Sequence, residues 1–392
     1  MNVRRRRSDY RDDPPPSRVA SRRKAPPRRK ARQKQGAAVS VAKGFYKAIV
    51  VLSALIVAVY AGFTLMVRPP EQKQPPQPPQ TQPGVSLGPS FGTDSNTGTA
   101  NPALPAEPVL NRRDGVYNIL LAGTDKDGYR TDTMMVMCYD TVKQTVGVVS
   151  VPRDTLVARP EEHVHLAYGK GGVEQRVEDI SDMLGIPIDG YIKVNLKGFV
   201  SLVDYLKGVD IEVPVDMNYD DPTPGQDLHI HFKKGMQHLN GQQAMEVARY
   251  RHDNKDSPNY KANQWYSDVQ RTQTQQKILI ALAKKVLAWD SITKINGFVE
   301  IFNKNVTTDL TLNEMLYFAG QAMGVDPSSA IETATLEGNG FGKYRNNIKT
   351  YTYCYELDPE KTVETVNRLI NPYDRDLTLK DMNIVKADSY HD

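Results

Sequence analysis

Residues 117–154 read YNILLAGTDKDGYRTDTMMVMCYDTVKQTVGVVSVPRD. This stretch contains three apolar runs of strand length, at 117–122, 134–139 and 145–151. The first run ends at a Gly-Thr-Asp turn, and Pro152 closes the third. Short aliphatic and β-branched runs bounded by turn residues are typical of strands in a buried sheet. We therefore predict that these three runs are strands in the core of a sheet.

Charged side chains gather where these predicted strands end. Between the first two runs and directly after the third lie Asp125, Asp127, Arg130, Asp132, Arg153 and Asp154. In an open α/β sheet, ligands bind beyond the strand ends, so two such ends can face one site. One loop of this kind would be interpreted as ordinary polar capping residues. Two loops that mix acids and arginines favour a phosphate or metal site.

The rest of the folded region alternates between helical and strand-like patterns. Helical spacing covers 173–184, 197–206, 242–247, 278–289 and 359–370, whereas strand-like runs cover 189–194, 209–213, 330–336 and 351–357. A capping box, Thr311-Leu-Asn-Glu314, predicts the start of one further helix. This alternation predicts an α/β fold.

The N-terminal tail, residues 1–47, is strongly basic. It carries 16 Lys and Arg against three acids, and the whole chain is +4, so the remainder has a balance of −9. The tail has too little apolar content to fold alone. Nucleic-acid binding, attraction to anionic lipid and a topology signal are the competing interpretations, and the next segment bears on them.

Ala48–Val67 is a run of 20 residues without a charge. At about 1.5 Å per residue in a helix it spans about 30 Å, the hydrocarbon thickness of a bilayer. Lys43 and Lys47 precede it, and the positive-inside rule then places the tail in the cytoplasm and the body outside the cell. A cleaved signal peptide is the alternative, but the run is long for one and shows no small-residue cleavage site. We predict a single-pass cell-membrane protein whose tail meets lipid, with no nucleic acid as partner.

Residues 68–110 are rich in Pro, Gln, Gly, Ser and Thr, which predicts a partly extended extracellular linker. The chain has two cysteines, Cys138 and Cys354. Outside the cell they could form a disulfide, and a buried free thiol is the alternative for each. Sequence alone does not place their Cα atoms within the ~7 Å that a disulfide needs.

The histidines at 229, 231 and 238, with His252 beyond them, raise the question of a zinc site. His229 and His231 alternate, so on a strand they share a face. We find no carboxylate or further histidine spaced to complete a usual ligand set. Solvated histidines at a strand edge are therefore the favoured interpretation.

A second informative stretch, residues 239–276, brings three arginines. Arg249 and Arg251 alternate, which in extended chain would put both guanidiniums on one side. Arg271 and Gln275 are four apart and share a face on a helix. The planar fork of arginine matches pairs of phosphate oxygens. Each residue alone would be a surface salt bridge, but together they favour a phosphate site.

The chain resembles the LytR-CpsA-Psr family of bacterial cell-wall enzymes. The resemblance rests on the basic tail with one anchor and on LLAGTD, RTDT, VSVPRD, AYGKGG, LKGFVSLVDYLKGVDIEVP, LNGQQAMEVARYRH, DVQRTQTQQ and VTTDLTLNEML. It covers residues 115–325 well and the C-terminus loosely. The combination of VSVPRD, ARYR and DxxRxxxQ behind an anchor is specific.

The resemblance implies a central mixed β-sheet flanked by helices in an α/β/α arrangement, behind a single N-terminal transmembrane helix. Residues 111–325 would be the catalytic domain, and 326–392 a C-terminal part packed on the same domain. The implied activity is transfer of a phosphoglycan, such as teichoic acid or capsule, from a polyprenyl-pyrophosphate carrier to a peptidoglycan hydroxyl.

The resemblance also implies roles for individual residues. Asp125 and Asp132 would bind a divalent ion, magnesium or alternatively manganese. Arg153, Asp154 and Asp132 would be catalytic. The pyrophosphate would be held by Arg130, Arg153, Arg249, Arg251, Arg271 and Gln275. These assignments agree with the chemistry, because phosphoryl transfer needs charge neutralisation and alignment more than a strong nucleophile.

Two departures from the family pattern stand out. Thr274 replaces an arginine in a helix that often reads RQQ, and His165 stands where asparagine is usual. The long polar segment 252–267 could form a lid or an acceptor-binding loop. Two other functions share these residues: a lipid pyrophosphatase with water as acceptor, and a regulator that senses wall polymers without catalysis. Neither the polymer nor the oligomeric state follows from the sequence.

Overall fold

The computed structural model describes Ser53 and residues 67–76, 110–124, 131–159, 165–167, 171–223, 228–287, 295–323, 325–345 and 349–387. Residues from Val67 onward form one compact unit. Within the described ranges, no helix combines the length and the apolar character that crossing a membrane requires. Apart from Ser53 and Val67, the predicted span at 48–67 lies outside these ranges, so the membrane anchor stays a prediction.

The strands, in chain order, are β1 (Val116–Thr124), β2 (Thr131–Asp140), β3 (Thr145–Ser150), β4 (Gly190–Asn195), β5 (Val209–Val213), β6 (Met217–Asp221), β7 (Leu228–Phe232), β8 (Gly235–Leu239), β9 (Val306–Thr308), β10 (Ile331–Thr335), β11 (Gly338–Arg345) and β12 (Thr350–Leu357). The helices are α1 (Gly172–Leu184), α2 (Leu196–Tyr205), α3 (Gly241–Arg249), α4 (Asp268–Leu287), α5 (Ile295–Asn305), α6 (Leu312–Ala322), α7 (Pro327–Ala330) and α8 (Pro359–Leu369). The three strands predicted in residues 117–154 are confirmed as β1, β2 and β3.

The central sheet has the strand order β10-β3-β2-β1-β4-β9 in the described part of the chain. Neighbours β1–β2, β2–β3 and β4–β9 are antiparallel, whereas β1–β4 and β3–β10 are parallel. The sheet is therefore mixed, as the family resemblance implies. Strand β10 shows that residues beyond 325 belong to the same sheet.

Side chains of each central strand alternate between the two faces of the sheet, so both faces carry apolar side chains that must be buried. Helices cover both faces. On one face, Leu120 belongs to a buried cluster with Ile180 of α1 and Val366 of α8. On the other, the Tyr117 ring packs edge-on against Phe318 of α6, with centroids 5.2 Å apart. Helix α6 begins with the predicted capping box, in which Thr311 and Glu314 bond reciprocally.

The antiparallel pairing brings three strand ends to one edge of the sheet. Gly123 near the end of β1 pairs with Thr133 near the start of β2, and Ser150 at the end of β3 pairs with Met135. Residues that follow β1 and β3 therefore lie beside residues that begin β2. This is the edge at which the charged loops were predicted to meet.

A second layer of structure lies next to this sheet. Strands β5 and β8 pair antiparallel, as do β6 and β7. Together with α2, α3 and α4 they enclose a separate buried cluster that includes Val203, Ile211, Ile230, Val247 and Ile278. This arrangement carries the arginine-bearing segments of residues 239–276.

Two further observations concern the predicted linker and the two cysteines. The start of the predicted linker contacts the domain: Gln72 Nε2 donates to the Arg113 and Val116 carbonyls at 2.9 Å each, and the Lys73 backbone N–H donates to Asp189 Oδ1 at 2.9 Å. Cys138 and Cys354 are both buried, and neither forms a disulfide. The alternative of two buried thiols is therefore the one the structure shows.

Candidate functional site

Arg153 joins the two charged strand ends. Its Nη1 donates to Asp132 Oδ1 at 2.6 Å, and its Nε donates to Asp154 Oδ2 at 3.4 Å. Asp132 is the second residue of β2, whereas Arg153 and Asp154 follow β3 after Pro152. The fixed φ of proline limits the backbone freedom before Arg153, so its guanidinium is aimed at low entropic cost. The prediction that these strand ends meet is confirmed.

Arg271 enters the same region from the first turn of α4. It is 6% exposed, and its Nη2 lies 2.7 Å from Asp268 Oδ1, one turn earlier in the helix. Buried arginines are rare unless they are paired, and Asp268 supplies this pairing. Sequence reasoning missed Asp268, although its spacing of three from Arg271 is a helical-pair signal.

The extended backbone predicted for Arg249 and Arg251 is wrong at Arg249, which is helical. Arg249 is the last residue of α3, and Tyr250 follows as its C-terminal cap. Tyr250 is fully buried and donates its hydroxyl to Asp253 at 3.0 Å. Arg249 approaches the Met245 sulfur at 4.0 Å, and its charge contributes to lowering the pKa of Asp221.

Arg251 instead lies toward Arg153 and Arg271. The protein around its guanidinium lowers the pKa of Arg251 to about 10, and the positive charges of Arg271 and Arg153 act in the same direction. The side chain as a whole is exposed to solvent by area. We therefore attribute the shift to the crowding of its charged end by protein and like charge. The pKa of Arg271 is lowered as well, first by burial.

Asp154 shows the opposite kind of perturbation. Burial raises the pKa of its carboxyl, the charge and hydrogen bond of Arg153 lower it, and the charge of Asp268 raises it again. The net direction is upward. Like charges thus stand close together at this edge: three arginines around one point, interleaved with Asp132, Asp154 and Asp268. Such strongly perturbed groups mark candidate functional sites.

Gln275 has a structural partner at each end of its amide. Its Nε2 donates to the Ala248 carbonyl at 3.0 Å, and its Oε1 accepts from the Thr133 hydroxyl at 3.3 Å. It therefore ties α4 to the end of α3 and to the start of β2. This geometry holds the arginine-bearing segments in register, and a direct pyrophosphate contact by Gln275 stays a prediction.

The two departures from the family pattern lie in buried surroundings. Thr274 is 2% exposed and shares a hydrogen bond of 3.0 Å with the Tyr266 hydroxyl. His165 is buried and forms an isolated bridge with Leu156, close to the end of β3. At position 274 the side chain is thus part of the packing between α4 and the preceding loop.

Three of the predicted loop residues, Asp125, Asp127 and Arg130, lie outside the described residues. The pairing of Asp125 with Asp132 as metal ligands is therefore a prediction that the geometry leaves open. Asp132 itself fits a hard cation, because its carboxylate is 35% exposed and stands at the strand end.

The interpretation that no carboxylate completes a set with the histidines was wrong. Asp220 lies opposite His229 in the β6–β7 pair. Its Oδ1 is 2.5 Å from His229 Nδ1 and 3.1 Å from His231 Nε2, and these three residues place ligand atoms within 4.8 Å of one another. All three are exposed, so the solvated location was predicted correctly. Sequence spacing missed Asp220 because the strand register brings it there.

The polar segment 252–267 is pinned at a buried point. Asp253 is 1% exposed and accepts hydrogen bonds from the Asn218 backbone at 2.6 Å and from Asn263 Nδ2 at 2.7 Å. These bonds connect the segment to β6 and to its own later half. It is therefore an anchored loop beside the arginines.

Comparison with known proteins assigns this architecture to one group. The model of the LytR_cpsA_psr family matches residues 92–371. A Bacillus subtilis protein named polyisoprenyl-teichoic acid–peptidoglycan teichoic acid transferase TagV is 31% identical over 261 residues, covering 64% of this chain and 63% of that protein. An uncharacterised Staphylococcus aureus protein is 29% identical over 265 residues, covering 67% of this chain and 59% of its own length. The chain thus spans about three fifths of the length of these curated relatives.

Solved structures agree on the fold. The crystal structure of B. subtilis TagV superimposes with a TM-score of 0.53 at 28% identity, covering 64% of this chain and 95% of that one. A Streptococcus agalactiae protein superimposes with a TM-score of 0.54 at 19% identity, covering 69% and 90%, which supports the fold alone.

Proposed function

The chain belongs to the LytR_cpsA_psr family, and on that premise we propose that it is a phosphotransferase of the bacterial cell wall. Its donor would be a glycan linked to a polyprenyl chain through pyrophosphate, and its acceptor a hydroxyl of peptidoglycan. The name of the TagV relative states a polyisoprenyl-linked teichoic acid as donor and peptidoglycan as acceptor. The observation that carries the proposal is the convergence of Arg153, Arg251 and Arg271 from three separate segments.

The arginines would bind the pyrophosphate. Arg153 follows a strand, Arg251 follows a helix and Arg271 begins another helix, so their relative positions are fixed by the fold rather than by local flexibility. Each guanidinium can donate two parallel hydrogen bonds to phosphate oxygens. A bound pyrophosphate would also relieve the repulsion that contributes to the lowered pKa of Arg251. Preorganised positive charge of this kind stabilises the charge that develops during phosphoryl transfer.

Asp154 is the group best suited to accept the acceptor's proton. The acceptor oxygen would form a bond to the glycan-bearing phosphorus, while that phosphorus loses its bond to the bridging oxygen. Polyprenyl phosphate leaves, a phosphodiester forms, and the hydroxyl proton passes to Asp154. Burial raises the pKa of Asp154, which makes it a stronger base than an ordinary carboxylate. Arg153, bonded to both Asp154 and Asp132, would orient the pair.

A divalent cation would be held by Asp132, with Asp125 as the second ligand. Magnesium, or alternatively manganese, takes carboxylate oxygens, and the exposed face of Asp132 can supply one while its Oδ1 accepts from Arg153. Bound there, the cation would neutralise negative charge on the pyrophosphate.

The location would be the outer face of the cell membrane. Residues 1–47 would stay in the cytoplasm and residues 48–67 would span the bilayer, which also holds the polyprenyl donor. A reporter fused after Asp392 that works only in the cytoplasm should be silent, and reporter activity would overturn this arrangement.

The test uses the full-length chain in detergent with a polyprenyl-pyrophosphoryl saccharide. We expect polyprenyl phosphate release together with label transfer to added peptidoglycan fragments. Release without transfer would identify a pyrophosphatase. Saccharide that stays intact in both mixtures would contradict catalysis and favour a wall-sensing regulator.

A further inference from the structure

The hairpin β11–β12 carries a row of tyrosines on one face. Tyr351, Tyr353 and Tyr355 alternate along β12, and Tyr344 of β11 pairs with Tyr351. Alternate residues of a strand point to the same side, so these four rings share a face. Tyr351 is 73% exposed, Tyr353 57% and Tyr344 44%. Exposed aromatic rings at this density are rare on a surface that has no partner.

The opposite face of the hairpin is anchored to the domain. Cys354 is fully buried and clusters with Leu156, and Phe341 packs against them. Backbone hydrogen bonds reinforce this anchor, because Leu156 donates to the Tyr355 carbonyl at 3.0 Å. The face is therefore outward at Tyr344, Tyr351 and Tyr353, whereas Tyr355 packs against the central core cluster.

Glycines opposite the tyrosines let the rings lie flat on the sheet. In β11, Gly340 pairs with Tyr355 and Gly342 with Tyr353. The Tyr353 ring lies diagonally over Gly340, where an added Cβ would overlap its hydroxyl and Cζ atom. The Tyr351 ring lies over Gly342, where an added Cβ would remain 3.8 Å from Cδ1. Aromatic rings over glycines also stabilise a hairpin, but that role does not need the large exposure of Tyr351 and Tyr353.

This face is continuous with the candidate site. Tyr355 donates its backbone N–H to the Asp154 carbonyl at 2.8 Å, which joins β12 directly to the loop that carries Arg153 and Asp154. Tyr353 lies on the same face two residues away. Its pKa is raised first by burial and then by the charges of Asp154 and Asp268, so both carboxylates act on its phenol.

We propose that the tyrosine face of β11–β12 binds the glycan strand of the acceptor and guides its hydroxyl to Asp154. This inference rests on the proposed function. Sugar rings present an apolar C–H face that packs on aromatic rings, and the tyrosine hydroxyls can bond to sugar hydroxyls. The acceptor is the occupant because the face adjoins Asp154, the group that receives the acceptor's proton. The donor pyrophosphate lies with the arginines.

The Tyr344 and Tyr351 rings meet edge to face, at an interplanar angle of 66°, and together with Tyr353 they offer ring surfaces along the hairpin that a linear polymer could contact. Tyr344, Tyr351 and Tyr353 form a continuous strip, with the Tyr344 and Tyr351 centroids 5.2 Å apart. A strip can contact successive sugars of one chain, whereas a closed pocket would accept a chain end. The face therefore suits an internal hydroxyl of a long glycan.

A pair of glycine variants tests the placement of the rings without deleting them. Gly340→Ala should displace the Tyr353 ring, whereas Gly342→Ala should leave Tyr351 in place. In the full-length chain we expect Gly340→Ala to raise the acceptor KM several-fold and Gly342→Ala to leave it unchanged. The donor KM should be equal in both variants.

A second set of variants tests the rings themselves. The double change Tyr351→Ala and Tyr353→Ala should raise the acceptor KM about tenfold, which corresponds to about 1.4 kcal/mol of lost binding. The double change to Phe should retain most of the affinity because the rings remain. Thr350→Ala, on the opposite face of β12, is the matched control and should match the wild type.

A binding measurement separates this inference from the proposed function. Full-length chain in detergent is co-sedimented with insoluble peptidoglycan stripped of wall polymer, without donor. The wild type and the Phe variant should sediment, and the double Ala variant should remain in solution. Equal sedimentation of the double Ala variant overturns the tyrosine face even if transfer is observed. Sedimentation that depends on the rings upholds the face even if no transfer occurs.

Discussion

The arginine–aspartate site at the sheet edge and the histidine–aspartate hairpin β6–β7 are both clusters of ionisable groups, but they are built differently. In the hairpin, Asp220 stands between His229 and His231, and hydrogen bonding to His229 lowers the pKa of its carboxyl. At the sheet edge, burial raises the pKa of Asp154, the protein crowded around the guanidinium lowers the pKa of Arg251, and like charges add to both shifts. The hairpin thus stabilises the ionised form of Asp220, whereas the surroundings at the sheet edge destabilise the charged forms of Asp154 and Arg251.

The difference indicates which cluster does chemistry. Exposed pairs of opposite charge form on many protein surfaces and contribute little. Charged groups held near like charge, in partly buried positions, cost stability and persist where a ligand compensates them. We therefore propose that function depends on Arg153, Asp154, Arg251 and Arg271, and variants in the two clusters should behave differently.

The largest expected effect is that of Arg153→Ala. Removing a charge that stabilises a phosphoryl transition state costs about 3 kcal/mol, or roughly a hundredfold in turnover. The melting temperature should change by only a few degrees, because the Arg153 side chain lies at the ends of the strands and not in a hydrophobic core cluster. Arg153→Lys should recover part of the rate, since an ammonium cannot make the forked contact. Both variants and the wild type are assayed on the same lipid-linked substrate.

Two results would move Arg153 out of the site: normal turnover of the Ala variant, or unfolding that accounts for its loss of activity. His231→Ala in the hairpin is the matched control. This change removes one ionisable side chain from the β6–β7 cluster, and the turnover of the variant should equal that of the wild type.

Asp154→Asn should reduce turnover by a smaller factor, about tenfold to a hundredfold. A positioned base usually contributes more than this, but in a loose phosphoryl transition state the acceptor proton departs late. The loss should appear in kcat with the donor KM nearly unchanged. A rise in donor KM at constant kcat would instead make Asp154 a binding group. Steady-state kinetics in donor and acceptor concentration distinguish these results.

Asp132→Asn should weaken magnesium binding by about tenfold, because an amide supplies a neutral oxygen in place of a charged one. Titration calorimetry with magnesium on folded protein measures this directly. Asp220→Asn in the hairpin serves as the comparison and should leave magnesium affinity as it is. Equal affinities of the Asp132 variant and the wild type would remove Asp132 from the metal site.

The smallest effect concerns stability, and its sign should be opposite in the two clusters. The pKa of Asp154 is raised in the folded state, so the contribution of this carboxyl to the free energy of unfolding falls as pH rises above its unfolded pKa of about 4. Asp154→Asn should therefore gain stability relative to the wild type toward pH 7. The folded pKa of Asp220 is lowered, so its contribution is present above about 4 and is lost as pH falls through the folded pKa. Asp220→Asn should therefore lose relative stability toward pH 7. Urea denaturation at pH 4 and pH 7 gives both signs, and a shared sign would contradict the contrast.

Local patterns in the sequence predicted the parts of this molecule that depend on near neighbours. The strands in residues 117–154, the helix cap at Thr311, and the meeting of Asp132 with Arg153 follow from periodicity, capping chemistry and strand ends. The prediction of an extended backbone from Arg249 to Arg251 was wrong at Arg249, because a helix continues to that residue and ends at the buried Tyr250.

Features that depend on strand register could not be predicted in this way. Asp220 meets His229 only through the β6–β7 pairing. Only the register of β11 against β12 places Gly340 and Gly342 opposite the tyrosines of β12. The position of β10 beside β3 likewise requires contacts between residues almost two hundred positions apart.

Binding of inorganic pyrophosphate tests the central claim most directly, because it requires neither lipid nor acceptor. Titration calorimetry compares the full-length wild type with Arg251→Gln and with His229→Gln. We expect Arg251→Gln to weaken binding by about tenfold, since a charge-assisted hydrogen bond contributes about 1.5 kcal/mol or more, and His229→Gln to bind as the wild type does. Equal affinity of the Arg251 variant and the wild type, or loss only in the His229 variant, would contradict the assignment of this site.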